Sequence, residues 1–239
     1  MRHILDDPTG LSERAQRFLA DRADRVPFDV GEGPTDAELR STLGGLPGVD
    51  VEAALALFRQ TQARYGGLRF RSVAWSFDEV VTLGPWPWDA GDYDSDDVEP
   101  MSDLLEHSVA HPHQVWLRGN GEVSYFAHDF TASNVPVFAS VDALIEAEAI
   151  YQECTAWTRV RLDELVSVDA IEAGAAGLTL LSEGSGHTEQ WWEQEGFRVH
   201  VWHTFAAVYK GAARSRWGVW AKDRAGEQAA RTFLATIAK

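Results

Sequence analysis

Between Arg71 and Arg118 the chain carries ten carboxylates and not one lysine or arginine. They are Asp78, Glu79, Asp89, Asp92, Asp94, Asp96, Asp97, Glu99, Asp103 and Glu106, interleaved with Trp75, Trp86, Trp88 and Trp116. An uncompensated run of like charge repels itself and resists burial, so this stretch must face water, a metal ion or a basic partner. Aromatic side chains among the charges add a surface that can be buried once the charges are matched.

The rest of the composition is that of an ordinary globular protein: 239 residues, 45% hydrophobic and 24% charged, enough for one domain with a substantial core. The net charge of −16 stands apart. It argues against direct nucleic-acid binding and against an anionic membrane surface, because phosphate affinity rests on Lys and Arg. Residues 1–160 hold 12 basic against 27 acidic groups, whereas residues 161–239 hold 9 against 10. The basic groups from Lys210 onward are therefore a possible counter-surface for the acidic middle of the same chain. Cys154 is the single cysteine, which excludes an internal disulfide and fits a reducing compartment. At a helix end it reads as a small buried hydrophobe. Met1–Asp7 has no apolar leader core, and no apolar run approaches the ~18–20 residues of a membrane span, so the expected location is the cytoplasm.

Helical periodicity predicts helices over Leu11–Arg22, capped by Ser12; Asp36–Leu43, capped by Thr35 with Glu38 in capping-box spacing; Asp50–Tyr65; Val141–Gln152, capped by Ser140; and Ala225–Ile237. In the fourth, Leu144, Ile145 and Ala149 are expected inside, with Glu146 and Glu148 outside. In the last, Phe233 is the expected structural anchor. Gly66-Gly67 ends the third helix, and at least one of the pair is expected at positive φ. Strands are expected over Leu68–Ser76, Val80–Leu83, Gln114–Leu117, Val123–Ala127, Val137–Phe138, Val160–Leu162, Leu178–Leu181, Phe197–Trp202, Ala206–Tyr209 and Trp217–Ala221. Arg118-Gly119-Asn120-Gly121 marks a hairpin. Helices first, then an antiparallel meander to which helices return, is an α+β pattern. It fits a single α+β domain over 1–239, with a weak boundary near 155–175 before a strand and helix extension.

The segment ELRSTLGGLPGVDVEAALALFRQTQARYGGLRF, and within it Leu43, Gly44, Leu46, Pro47, Phe58, Tyr65, Gly66, Gly67 and Leu68, resembles the SUKH superfamily of bacterial immunity proteins. Val135–Ala149 is similar to that family's sheet-to-helix return, so the resemblance covers roughly residues 35–150. It implies a mostly antiparallel, curved sheet with helices packed on one face. It also implies a non-catalytic task, the binding and neutralisation of a toxin. The family provides no counterpart for residues 160–239.

Motifs for chemistry are incomplete. Asp92-x-Asp94-x-Asp96 opens like a calcium loop, but the sixth position is Asp97 instead of glycine and the twelfth is Asp103 instead of glutamate. His111 and His113 flank Pro112 at a spacing zinc tolerates, with Asp103 or Glu106 as oxygen donors, and this supports an alternative reading as a small metal-dependent hydrolase. His200 and His203 have opposite parity on a strand and cannot share one ion. Ser185 lies in Glu183-Gly184-Ser185-Gly186-His187, which lacks the nucleophile elbow and reads as a flexible turn. Gly31-x-Gly33 is followed by proline and is no dinucleotide fingerprint. No cofactor is expected. The leading expectation is a cytoplasmic immunity or toxin-binding protein without catalysis. It would cover the basic active cleft of a toxin with Trp86, Trp88, Asp89, Asp92, Asp94, Asp96, Asp97 and Glu99. A general interaction module unrelated to toxins is the remaining alternative.

Overall fold

The computed structural model describes residues 1–28, 34–46, 48–74, 79–87, 101–105, 114–126, 135–161, 166–204 and 215–238. The architecture is α+β, with antiparallel sheets and helices packed on them.

After α1 (Glu13–Arg22), β1 (Ala23–Arg25), α2 (Asp36–Gly44) and α3 (Val51–Tyr65) comes a meander: β2 (Leu68–Ser72), β3 (Glu79–Pro87), β4 (Met101–Leu105), β5 (Gln114–Arg118), β6 (Val123–Phe126) and β7 (Val135–Phe138). The first sheet takes these seven strands in chain order, every neighbour antiparallel. Then follow α4 (Val141–Cys154), β8 (Thr158–Arg159), α5 (Val168–Ala175), β9 (Thr179–Leu180), a 3-10 turn (Ser182–Gly184), β10 (Glu189–Gln194), β11 (Phe197–Trp202), β12 (Arg216–Ala221) and α6 (Arg224–Ile237). The second sheet has the order β8-β12-β11-β10-β9.

Local chemistry sets the helix starts. Ser12, Asp50 and Ser140 each accept a backbone N–H three residues on, and Thr35 with Glu38 forms the reciprocal capping box. At the end of α3 the chain turns into β2 through Gly67 at φ +78°, where its N–H donates to the Leu83 carbonyl and its carbonyl accepts from Val26 N–H. A β-carbon on Gly67 would lie 2.1 Å from the Val26 carbonyl oxygen, so the position excludes any side chain for two reasons at once.

Helix α4 lies between the two sheets. Leu144, Ile145 and Ala149 join the core that α1 builds on the first sheet with Phe18, Leu19, Phe70, Leu83 and Tyr125. Ile150, Tyr151 and Cys154 join Trp191 and Trp202 of the second sheet. Glu146 and Glu148 are buried, contrary to the amphipathic expectation, because α1 covers one side of α4 and the end of β2 the other: Ser12 bonds to Glu146 and Ser72 to Glu148.

On the second sheet, Phe197, Val199 and Val201 face α5 and α6, while Arg198, His200 and Trp202 face α4, so every residue of β11 is buried. The Glu183–His187 segment is a fitted seam instead of a flexible turn: Gly186 packs on the edge of β7, where a β-carbon would meet the Val137 carbonyl oxygen at 1.8 Å. His187 N–H donates to that same oxygen at 2.7 Å. In α6 the sealed residues are Ala230 and Leu234, whereas Phe233 is half-buried with its ring 5.7 Å from that of Phe197. Among the described residues no helix is long and apolar enough to cross a membrane.

Two substitutions test this packing by urea unfolding. Gly67→Ala is expected to cost about 1–2 kcal/mol or more, combining the left-handed backbone with a carbonyl clash. Leu234→Ala is expected to cost about 2–5 kcal/mol and to exceed Phe233→Ala, because only Leu234 leaves a fully enclosed cavity; the reverse order would make Phe233 the anchor after all.

Candidate functional site

The acidic stretch enters the structure through β3 and β4. Their backbones pair Trp86 with Asp103 and Pro87 with Ser102, after an irregularity between Leu83 and Trp86. In sequence, residues 88–100 lie between these two strands, and of the residues expected to form the binding face Trp86 lies in β3. Trp88, Asp89, Asp92, Asp94, Asp96, Asp97 and Glu99 lie outside the described residues, as do His111 and His113. Among the described residues there is no group of three His, Cys, Asp or Glu side chains able to hold a metal.

The described part contains a second concentration of functional groups, on the α4 face of the second sheet. Cross-strand pairing sets Glu189 opposite Trp202, Trp191 opposite His200 and Glu193 opposite Arg198. The His200 ring stacks on Trp191 at 3.9 Å and an interplanar angle of 5°. Tyr151 of α4 accepts a hydrogen bond from Trp202 Nε1 at 2.5 Å and lies 3.1 Å from His200 Nδ1. Indole N–H is only a donor, so Trp202 donates to the Tyr151 oxygen, and the phenol proton can in turn be given to His200 Nδ1. In that tautomer the imidazole proton is on Nε2, 3.4 Å from Glu189 Oε2 and without a hydrogen-bond partner among the described residues. Thr204 Oγ1 donates to the other Glu189 oxygen at 3.3 Å and bonds in turn to Thr188.

Burial governs the charge state here. It raises the Glu189 carboxyl well above its ordinary range, with the charge of Glu148 adding to the effect, and it pushes the His200 imidazole well down. Both groups are therefore held neutral in spite of their proximity. Burial also raises the Tyr151 phenol and lifts the Cys154 thiol to about 12, which leaves that sulfur protonated and inert. Glu189, Trp191 and His200 are completely enclosed, and a group sealed on all sides meets no substrate. The cluster holds the fold together; it is not an open reaction centre.

Beside it, Arg198 donates to Glu153 Oε2 at 2.7 Å and to Glu193 at 2.9 Å, with its guanidinium 4.4 Å from the Trp157 ring centre. Arg14 and Arg17 of α1 reach the same Glu153. Burial works against the Glu153 charge, yet Arg198, assisted by Arg14 and Arg17, holds its carboxyl below the ordinary range. These residues form the floor of an open groove of about 830 Å³. Its central charges are satisfied by one another, which makes it an ion-paired seam between α1, α4 and the second sheet.

Ser185, His187 and His203, among the described residues, are also engaged. Ser185 Oγ donates to the Leu181 carbonyl and accepts from Trp191 N–H. His187 bridges to Glu122 of the β5–β6 hairpin at 3.0 Å. His200 and His203 point to opposite sides, as strand parity requires; His203 joins Glu172 of α5 at 2.6 Å to Ser215 at 2.8 Å. The order carboxylate, imidazole, hydroxyl is that of an activated serine. Here, however, the hydroxyl sits on Nδ1 and the carboxylate on Nε2, the reverse of the catalytic arrangement. The contact ties both flanks of the 205–214 connection to α5.

The aromatic face was not anticipated as a unit, and the signal for it is modest. Glu195-Gly196 is a two-residue connection between Glu189–Gln194 and Phe197–Trp202, which is the hairpin spacing. That register alone brings Trp191 and His200 side by side. Comparison with protein-family models, with curated proteins and with solved structures finds no match to this chain.

Removing the Tyr151 hydroxyl strands Trp202 Nε1 and His200 Nδ1 in the interior. Tyr151→Phe should therefore cost about 2–3 kcal/mol despite its near-identical shape. A neutral outcome in chemical denaturation would show that the relay is not made.

Proposed function

We propose that this chain is a non-catalytic, cytoplasmic binding protein of the immunity type, which neutralises a cationic toxin by covering its basic active cleft. The observation that carries the reading is the uncompensated acidic, tryptophan-containing stretch, bracketed by the paired strand ends at Trp86 and Asp103. Two paired strands limit where such a segment can reach, which lowers the ordering cost of meeting a partner. Opposite charge speeds the encounter and rejects anionic competitors, while aromatic burial slows dissociation.

Three further features favour this reading. The net charge of −16 suits a cationic partner. The described serine, cysteine and histidine candidates for catalysis are bonded or sealed within the scaffold. The resemblance of residues 35–150 to the SUKH immunity proteins points to the same class of task. A single, buried Cys154 agrees with a reducing interior.

The reading expects a toxin gene beside this one, and co-expression with the toxin domain of that neighbour is the direct test. Protection of the host and a stable complex are expected. In the variant carrying Asp92→Asn, Asp94→Asn, Asp96→Asn and Asp97→Asn, association should slow by about tenfold or more at low salt and lose most of its salt dependence, with thermal stability unchanged or higher. Failure to protect, or an association rate indifferent to the four substitutions, would overturn the reading.

A further inference from the structure

The contact between the two sheets through α4 contains two carboxyl groups that the binding function does not use. Glu148 on α4 accepts the Ser72 hydroxyl at 2.6 Å and the Val73 N–H, both at the end of β2 in the first sheet. Glu189 on β10 lies in the second sheet, where the charge of Glu148 adds to the effect of burial in raising its carboxyl, and both acids act on the Tyr151 phenol of α4. Each has one oxygen, Oε2, without a hydrogen-bond partner among the described residues. Neither carboxyl receives support from a described lysine or arginine. The titratable neighbours beside them are the Tyr151 phenol, raised by burial, and His200, lowered by burial. In this setting a carboxylic acid is tolerated and a carboxylate is not.

We propose that the α4 junction is a proton-controlled latch between the two sheets, closed while Glu148 and Glu189 carry protons and loosened when Glu148 ionises, so that water reaches the aromatic cluster around Trp191 and Trp202. The hydroxyl of Ser72 and the amide of Val73 favour the charged form of Glu148, but burial outweighs them and its carboxyl ionises only at about 7. In an opened junction the same group ionises at about 4.3, as a solvated glutamate does. Between those values the closed form holds a proton that the open form has lost, so rising pH favours opening until Glu148 ionises in both. Glu189, also raised by burial, acts in the same direction. His200 acts in the opposite direction on the acid side, since burial makes the closed form refuse a proton that the open form accepts. The closed latch is therefore favoured at mildly acidic pH and weakens through neutrality.

The test is amide hydrogen exchange of α4, corrected for the intrinsic pH dependence of exchange, together with acrylamide quenching of tryptophan fluorescence, both from pH 6 to 8.5. Wild type should open by up to about tenfold more per pH unit for each proton released. Glu148→Gln should remove the part of the slope that ends near neutrality, and the double variant with Glu189→Gln should be flat. The exposed His187–Glu122 bridge lies outside the junction, so His187→Gln is the control and should keep the wild-type slope. A wild-type profile that is flat after correction, a slope surviving in the double Gln variant, or one abolished by His187→Gln would each overturn the latch. Because the readout needs no partner, its failure leaves the binding test untouched.

Discussion

Helix α4 organises the molecule because three of its glutamates are turned inward against three different neighbours. Glu146 accepts both the N–H and the hydroxyl of Ser12 at 2.6 Å, so the residue that caps α1 is itself held by α4. Glu153 receives Arg14 and Arg17 from α1 and Arg198 from β11. Glu148 receives Ser72 and Val73 from the end of β2. At about 100° per residue, Glu146 and Glu153 fall on nearly the same side and Glu148 roughly opposite, which matches the placement of α1 and β2 around the helix. Apolar burial supplies the bulk of the stability, but it is non-directional. Hydrogen bonds to these carboxylates are directional, and removing a single partner leaves a buried acceptor unpaired at a cost of several kcal/mol.

That arrangement explains which elements the sequence reveals. Helix starts depend on four or five consecutive residues, and Ser12, Thr35, Asp50 and Ser140 act as the local rule says. Gly67 is legible for the same reason. The exposure of α4 is not, because amphipathicity assumes one buried face and this helix has two. Glu146 and Glu148 then look like solvent residues when their partners are 134 and 76 positions away in sequence. Likewise, β11 is apolar toward α5 and α6 and aromatic and charged toward α4, so period-two patterning describes half of it. Helix α5 carries Ser167 as a cap with Val168, Ile171 and Ala175 on one stripe; that signal is present and is masked by the shortness of the element. Phe233 draws attention by size, yet depth in the core belongs to Leu234.

For the site the balance is different. Charge excess is a compositional property, so the acidic stretch is plain from the residues alone, whereas the occupation of His200, Ser185 and Cys154 depends on long-range packing. An isolated histidine or serine carries no mark of whether its partner is a substrate or the neighbouring strand. Here the neighbours are Tyr151 for His200, Trp191 for Ser185 and Arg198 for Cys154. Each assigns the residue to the scaffold.

The same scaffold also decides where the negative charge is left over. Arg14, Arg17 and Arg198 are engaged by Glu153 at the α4 seam, Arg59 by Asp36, Arg69 by Asp24 and Arg40 by Glu52. These cations are committed to acids of the helices and of β1, in contacts that fix packing or cap elements. Between Arg71 and Arg118 the sequence offers none of its own. Pairing elsewhere and omission here act together: Glu153, Asp36, Asp24 and Glu52 are paired in place, while the central stretch holds ten acids and no lysine or arginine of its own in a chain of net charge −16. A field concentrated in this way acts at a distance of about a Debye length, roughly 8–10 Å, on whatever approaches. Attraction of this kind is what the proposed binding to a cationic partner would draw on before contact.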